Sequence, residues 1–157
     1  MTAQMGEILY YKGKIFYLTT EPLQPLLNIL GDDIEKIGGE DSSPSEIMMS
    51  TACRRGYIGT WEIVEDKLFL KDLKGYPEEN KKYTMNNLFP NQKEVFAKWF
   101  TGEIKMPQGK MLHYEHLGYC SIFEKDLFLG FKKGELVNKR EVDNTKTFDP
   151  EDPMGWL

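Results

Sequence analysis

His113, His116 and Cys120 fall in one short stretch, "LHYEHLGYC", and side chains of this kind are what a soft metal ion or an activated thiol would use. With Cys53 they would make up a four-ligand set. The spacing argues against a zinc centre. Residues three apart on an extended strand face opposite sides, so the two imidazoles converge only where the chain bends or turns helical, and no C-x-x-C pair anchors the set. A thiolate at Cys120 with His113 or His116 as its base needs the same convergence. Cys120 also sits between Tyr119 and Ser121 in a β-prone run, where a thiol behaves as a small hydrophobe. The chain carries no phosphate loop, no G-x-S-x-G elbow and no H-E-x-x-H helix. The residues therefore assign no catalytic group, no metal and no cofactor.

A second cluster is Arg54-Arg55, directly before Gly56 and close to Tyr57 and Trp61. Arginine's planar fork suits bidentate recognition of carboxylate or phosphate, and a neighbouring glycine lets a backbone approach a ligand closely. Arg54, Arg55, Tyr57, Trp61, His113 and His116 are accordingly the candidate ligand-binding residues, for an anionic small molecule or a nucleotide. The competing reading is an ordinary surface ion pair with one of the many Asp and Glu residues. Lys81-Lys82, Lys132-Lys133 and Lys139-Arg140 read as solvated charges that discourage edge pairing.

The stretch around Trp61 has a looser echo downstream. Gly56, Tyr57, Trp61 and Glu62 align with Gly118, Tyr119, Phe123 and Glu124, and after a slip of three residues Leu68-Phe69-Leu70 aligns with Leu127-Phe128-Leu129. The reading favoured here is two hairpins of one sheet that use the same parts, since aromatic and β-branched residues fill strands and acidic residues fill turns. A duplicated half-barrel whose hairpins face across a cleft is the alternative. "GTWE" is also similar to the glycine-x-tryptophan signature of lipocalin-like barrels, but it begins mid-chain at Gly59, and the fewer than a hundred residues that follow are tight for an eight-stranded barrel, so the likeness is read as a coincidence of hairpin composition.

Taken together, "STACRRGYIGTWEI", "LFP", "VFAKWFTGEIKMPQG" and "GYCSIFEKDLFL" resemble a group of small uncharacterised bacterial proteins over roughly residues 50 to 130. The resemblance implies a bacterial or phage-related setting and brings no activity or catalytic residue with it.

The elements that must position these groups are mostly strands. "GEILYYKGKIFYLTT" reads as a hairpin about Lys12-Gly13. Pro22 and Pro25 then open a short helix through Leu30, with Gly31 as its stop. Residues 37 to 46 form an exposed loop, and "EIMMSTAC" is either a strand or a helical turn. From Tyr57 to Val64 the period is two, Glu65-Asp66 turns the chain, and Leu68 and Leu70 point inward. "PEENKKY" reads as a loop. Pro90 opens a helix over "NQKEVFAKWF", with Val95, Phe96 and Trp99 on one stripe and Glu94 spaced to meet Lys98. The rest reads as an antiparallel meander broken at Gly109, Gly130 and Gly134. The irregular tail 143–157 is pinned by Phe148, Trp156 and Leu157.

The predicted fold is α+β in one domain spanning 1–157: a mainly antiparallel, twisted sheet of six to eight strands, with curvature toward a barrel as an option, and one or two short helices on a face. At 157 residues the chain is long enough for its own core. A net charge of −5 makes nucleic acid a poor partner. Two cysteines and no leader-like or membrane-length apolar run point to free thiols and a cytoplasmic protein with no membrane partner. Function is then weighed among three classes. A non-enzymatic protein-binding module, such as an immunity, inhibitor or accessory protein, leads; a site for an anionic ligand comes second; a cysteine- or metal-dependent enzyme comes third.

Overall fold

The computed structural model describes residues 6–30, 57–78, 81–115 and 119–153. Its first element is the expected hairpin, β1 (Glu7–Tyr11) and β2 (Lys14–Leu18), turned at Lys12 and Gly13. Both turn residues have positive φ, 50° and 74°, which is the backbone twist a two-residue hairpin loop requires. The same device recurs at Glu65-Asp66 between β3 (Tyr57–Val64) and β4 (Lys67–Glu78), and at Lys133-Gly134 between β8 (Ile122–Lys132) and β9 (Glu135–Asp143). Between these lie α1 (Gln24–Leu30), β5 (Lys81–Thr84), α2 (Met85–Leu88), β6 (Val95–Phe96) and β7 (Gly102–His113).

Among the described residues nine strands form one sheet in the order β2-β1-β3-β4-β9-β8-β7, with β5 and β6 pairing separately with β4. All pairings are antiparallel except β1 with β3, which run parallel. The helices are seven and four residues long, so the molecule is sheet-dominated rather than evenly α+β, and the sheet does not close into a barrel.

The sheet has two halves joined at narrow corners. Between β4 and β9 the ladder contains only Lys67 opposite Glu135, flanked by the Leu68 and Leu136 amides donating to Gly134 and Asp66. Side chains from both halves meet in between: Leu9, Leu18, Trp61, Leu68 and Leu70 from one, Ile104, Met106, Leu129 and Phe131 from the other, all buried. On the outer surface of the second half, Arg140 lies over the Phe128 ring at 3.8 Å and donates two hydrogen bonds to Glu103, at 2.9 and 3.0 Å. This pairing holds the Glu103 carboxyl below its ordinary range.

Four readings of local structure are corrected. The helix expected over residues 91 to 100 does not form. Asn91 is left-handed at φ 63° with its amide bound to the Asn86 side chain, and Val95 and Phe96 extend to pair with Leu70 and Phe69 on β4. The aromatic contact of Phe96 with Phe69, 5.8 Å between centroids, outweighs the helical stripe, and Glu94 bonds Lys71 at 2.6 Å instead of meeting Lys98. Second, the expected loop 77–83 is largely strand, with Glu78 opposite Lys81. Third, Gly130 lies within β8 at a register shift rather than ending a strand, and Gly109 likewise lies within β7. Fourth, Glu124, Lys125 and Asp126 are mid-strand in β8, so the downstream echo is not a second hairpin. The helix at Gln24–Leu30 forms as expected, with Pro25 in its first turn. The segment 46–53 and the tail residues Trp156 and Leu157 lie outside the described residues, while Phe148 is half-buried.

The parallel β1–β3 pair is anchored by a fully buried carboxyl. Glu7 Oε2 accepts the Gly59 amide at 2.6 Å and Oε1 accepts the Trp61 indole N–H at 3.4 Å. A Cβ at residue 59 would lie 2.8 Å from Glu7 Oε1 and 2.9 Å from Trp61 Nε1, so this position has room only for glycine. Gly59→Ala is expected to lose about 2–3 kcal/mol, read as a lower urea midpoint with a disturbed Trp61 emission; an unchanged midpoint would show that the cluster does not hold the strands. The Arg140–Glu103 pair carries a pH signature. Its contribution is present above the unfolded carboxylate pKa of about 4.3 and is lost as pH falls through the lower folded value. Glu103→Gln should therefore be slightly less stable than wild type at neutral pH and equal to it in strong acid, as checked by paired urea titrations.

Candidate functional site

Following the pairings around the sheet, the two outermost strands, β2 and β7, run in opposite directions, and curvature brings them together at one point. There the Thr19 amide donates to the Lys105 carbonyl at 3.0 Å and the Lys105 amide donates to Thr20 Oγ1 at 2.9 Å. An antiparallel ladder would continue from this contact, but two residues further along β7 stands Pro107, which has no N–H to donate. Gly109 follows at φ 84°, with a register shift between Gln108 and Met111. The strands form no ladder, and a groove of about 240 Å³ opens where they part.

Tyr17, Leu18 and Thr19 line one side of this groove and Pro107 and Met111 the other. Tyr114, Tyr119 and Ser121 from the connection between β7 and β8 complete it, together with Phe123 near the start of β8. Local hydrogen bonds shape that connection. Ser121 Oγ accepts the Glu115 amide at 3.0 Å and donates to the Glu115 carbonyl at 3.3 Å, and the Tyr119 hydroxyl donates to Glu21 Oε1 at 3.4 Å. Behind, Asn144 donates from one side-chain nitrogen to the Phe123 carbonyl and to Asp126, both at 2.9 Å. Among the described residues the lining carries no charged side chain. Glu21 and Glu115 stand beside it, with His113 3.5 Å from Glu115. A wall of tyrosine, methionine and proline with a few hydroxyls offers contact area and hydrogen bonds, and among the described lining residues no nucleophile stands against a base.

On the other side of segment 119–122 lies a more polar hollow of about 310 Å³, bordered by Lys105, Cys120, Asp126, Asn144, Thr147 and Phe148. Lys105 and Asp126 face each other there at 3.8 Å. Cys120 is a free, exposed thiol. Among the described residues no three His, Cys, Asp or Glu side chains gather as a metal site would require.

The residues singled out from sequence are dispersed. Arg54, Arg55 and His116, like Cys53, lie outside the described residues. Tyr57 is buried with its hydroxyl donating to Gln24 Oε1 at 3.0 Å, and Trp61 is sealed between Glu7 and the Trp99 ring, 6.3 Å away edge-on. Both belong to the interior. Their counterparts in the downstream echo, Tyr119 and Phe123, line the groove instead. Sequence reasoning missed Tyr17, Met111 and Tyr114. The available signal was that "KIFYL" is apolar at positions destined for both faces of a strand, which a half-exposed edge strand does not need.

No helix among the described residues is long and apolar enough to cross a membrane. No family model matches the chain, and no curated protein and no solved structure matches it either.

Proposed function

We propose that this protein is a non-enzymatic binding module that engages a partner protein through the tyrosine-lined groove and the adjoining outer face of the β1–β2 hairpin. The observation that carries this reading is where the apolar surface lies. The register sets Ile8 beside Tyr17 and Tyr10 beside Ile15 on one face. Tyr10, Ile15 and Tyr17 there, together with Met111 and Tyr114 at the groove, are between 43% and 64% exposed. The other large exposed apolar side chains among the described residues, Ile29, Val64 and Val137, belong neither to the hairpin nor to the groove lining. Concentrated apolar surface rich in tyrosine is characteristic of interfaces rather than of a solvated wall.

Among the described residues the groove lining carries no cation, which favours this reading over an anionic-ligand site; the arginines weighed for that site lie outside the described residues. Among the described residues the groove lining holds no nucleophile–base pair, which favours this reading over an enzyme. The sequence resemblance to small bacterial proteins sets the module in a bacterial or phage system, as an immunity, inhibitor or accessory protein.

The test is capture of a stoichiometric partner from the native host with the wild-type protein and with a Tyr17→Ala, Tyr114→Ala double variant. Both side chains are exposed, 64% and 46%, so the variant should keep its circular dichroism and melting temperature. Its affinity should fall by roughly 2–4 kcal/mol. Equal capture by the variant, or a wild-type protein that recovers no partner, would remove the reading.

A further inference from the structure

The groove borders a strand edge, and the backbone there has a chemistry of its own. In an antiparallel pair each residue turns its N–H and C=O to the same neighbour, and alternate residues turn them to opposite neighbours. Thr19 directs its amide to Lys105. Tyr17 and Ile15, two and four residues earlier on the same strand, therefore direct theirs to that side also, away from β1. Among the described residues no strand pairs with β2 there. At the matching place β7 carries Pro107, the left-handed Gly109 and a register shift.

The two outermost strands are thus guarded unequally. Edge strands are protected against added strands by proline, bulges and charge. β7 has a proline, bulges, Glu103, Lys105 and Lys110, whereas β2, "KIFYL", has one lysine at its start and no proline or bulge. Beside the unguarded edge lies a groove that no strand of the described chain fills.

Resting on the reading of the groove as a protein-binding site, we propose that the edge of β2 at Ile15 and Tyr17 takes up an extended peptide segment of the partner as an added strand. The segment carries apolar side chains at alternate positions and at least one lysine or arginine. The alternation follows from strand geometry, which sends every second side chain into the tyrosine-lined groove. The basic residue follows from charge. Among the described residues the groove lining is uncharged, the Glu21 and Glu115 carboxyl groups stand beside it, the Lys105 ammonium is turned to Asp126 on the far side of segment 119–122, and the chain carries a net charge of −5. The exposed rings of Tyr17 and Tyr114 add faces on which a cation can rest.

The experiment selects a displayed library of short random peptides on the full chain, then uses the strongest selected sequence, synthesised with a fluorophore, as the probe. Alternating apolar residues with Lys or Arg should dominate the selection. On adding the probe, the Ile15 and Tyr17 amides should gain about tenfold or more in hydrogen-exchange protection, as a new ladder hydrogen bond would give. Ile15→Pro removes one outward donor without touching the Leu9–Phe16 pairing to β1, and should weaken the probe by about tenfold. Should that variant fail to fold, the protection measurement on the native chain decides alone. Acidic consensus sequences, or no selected peptide, would overturn the proposal. So would a probe that is sensitive to Tyr17→Ala and Tyr114→Ala yet leaves the two amides unprotected and ignores Ile15→Pro; that outcome leaves the binding-module reading standing. The binding-module reading fails separately, if partner capture is indifferent to both tyrosines.

Discussion

The buried carboxyl of Glu7 is the constraint around which the first half of the sheet is organised. A carboxyl group removed from water is costly unless it is hydrogen-bonded, and Glu7 meets that requirement by accepting the Gly59 amide and the Trp61 indole N–H. Both of these donors sit on β3, and they reach the carboxyl when β1 lies alongside that strand in the observed parallel register, with Leu9 level with Trp61. The absence of a side chain at Gly59 is what lets it approach. From Trp61 the organisation spreads outward. Trp99 meets it edge-on, stacks on Phe89 and donates its own N–H to the Pro22 carbonyl at 2.8 Å, which fixes the entry to α1.

The second half of the sheet is attached more sparingly, and the surface follows from how it is attached. One corner is closed by backbone bonds around Lys67 and Glu135, the other by Thr19 and Thr20 against Lys105. Side-chain burial between the halves supplies the cohesion, helped by the Lys139 ammonium lying 5.5 Å from the Tyr11 ring centroid across the gap. The sheet would have to continue its ladder past Lys105 to become a barrel. Pro107 withholds the needed N–H and Gly109 turns the chain aside, so the sheet remains open on the side where Tyr17, Met111 and Tyr114 are exposed. The site is in this sense a consequence of an unfinished seam, with an aromatic wall on one side and a bare strand edge on the other.

The likeness between the two glycine-tyrosine stretches shows why similar words can have different destinations. Tyr57 and Trp61 stand on a strand flanked by β1 and β4, and the second half packs over them. Tyr119 precedes β8, and Phe123 near its start pairs with Met111 at the end of β7, where the sheet runs out of neighbours. The same residue types therefore build core in one place and groove in the other. Burial depends on what lies across from a strand, which an aligned pair of segments does not contain.

Local rules were enough for the hairpin turns at Lys12-Gly13 and Glu65-Asp66, the period-two strand from Tyr57 to Val64, the inward Leu68 and Leu70, and the proline-opened helix before Leu30. Each depends on backbone preference and side-chain alternation within a few residues, and that information is written in consecutive letters. Val95 and Phe96 were different, because a helical stripe and a short strand suit them equally until Phe69 is seen opposite. The parallel placement of β1, the meeting of Thr19 with Lys105, and the exposure of Tyr17 and Tyr114 all join residues tens of positions apart. Only the folded chain decides these, because hydrogen bonds and burial act on neighbours in space, and a single sequence does not say which distant segments become neighbours.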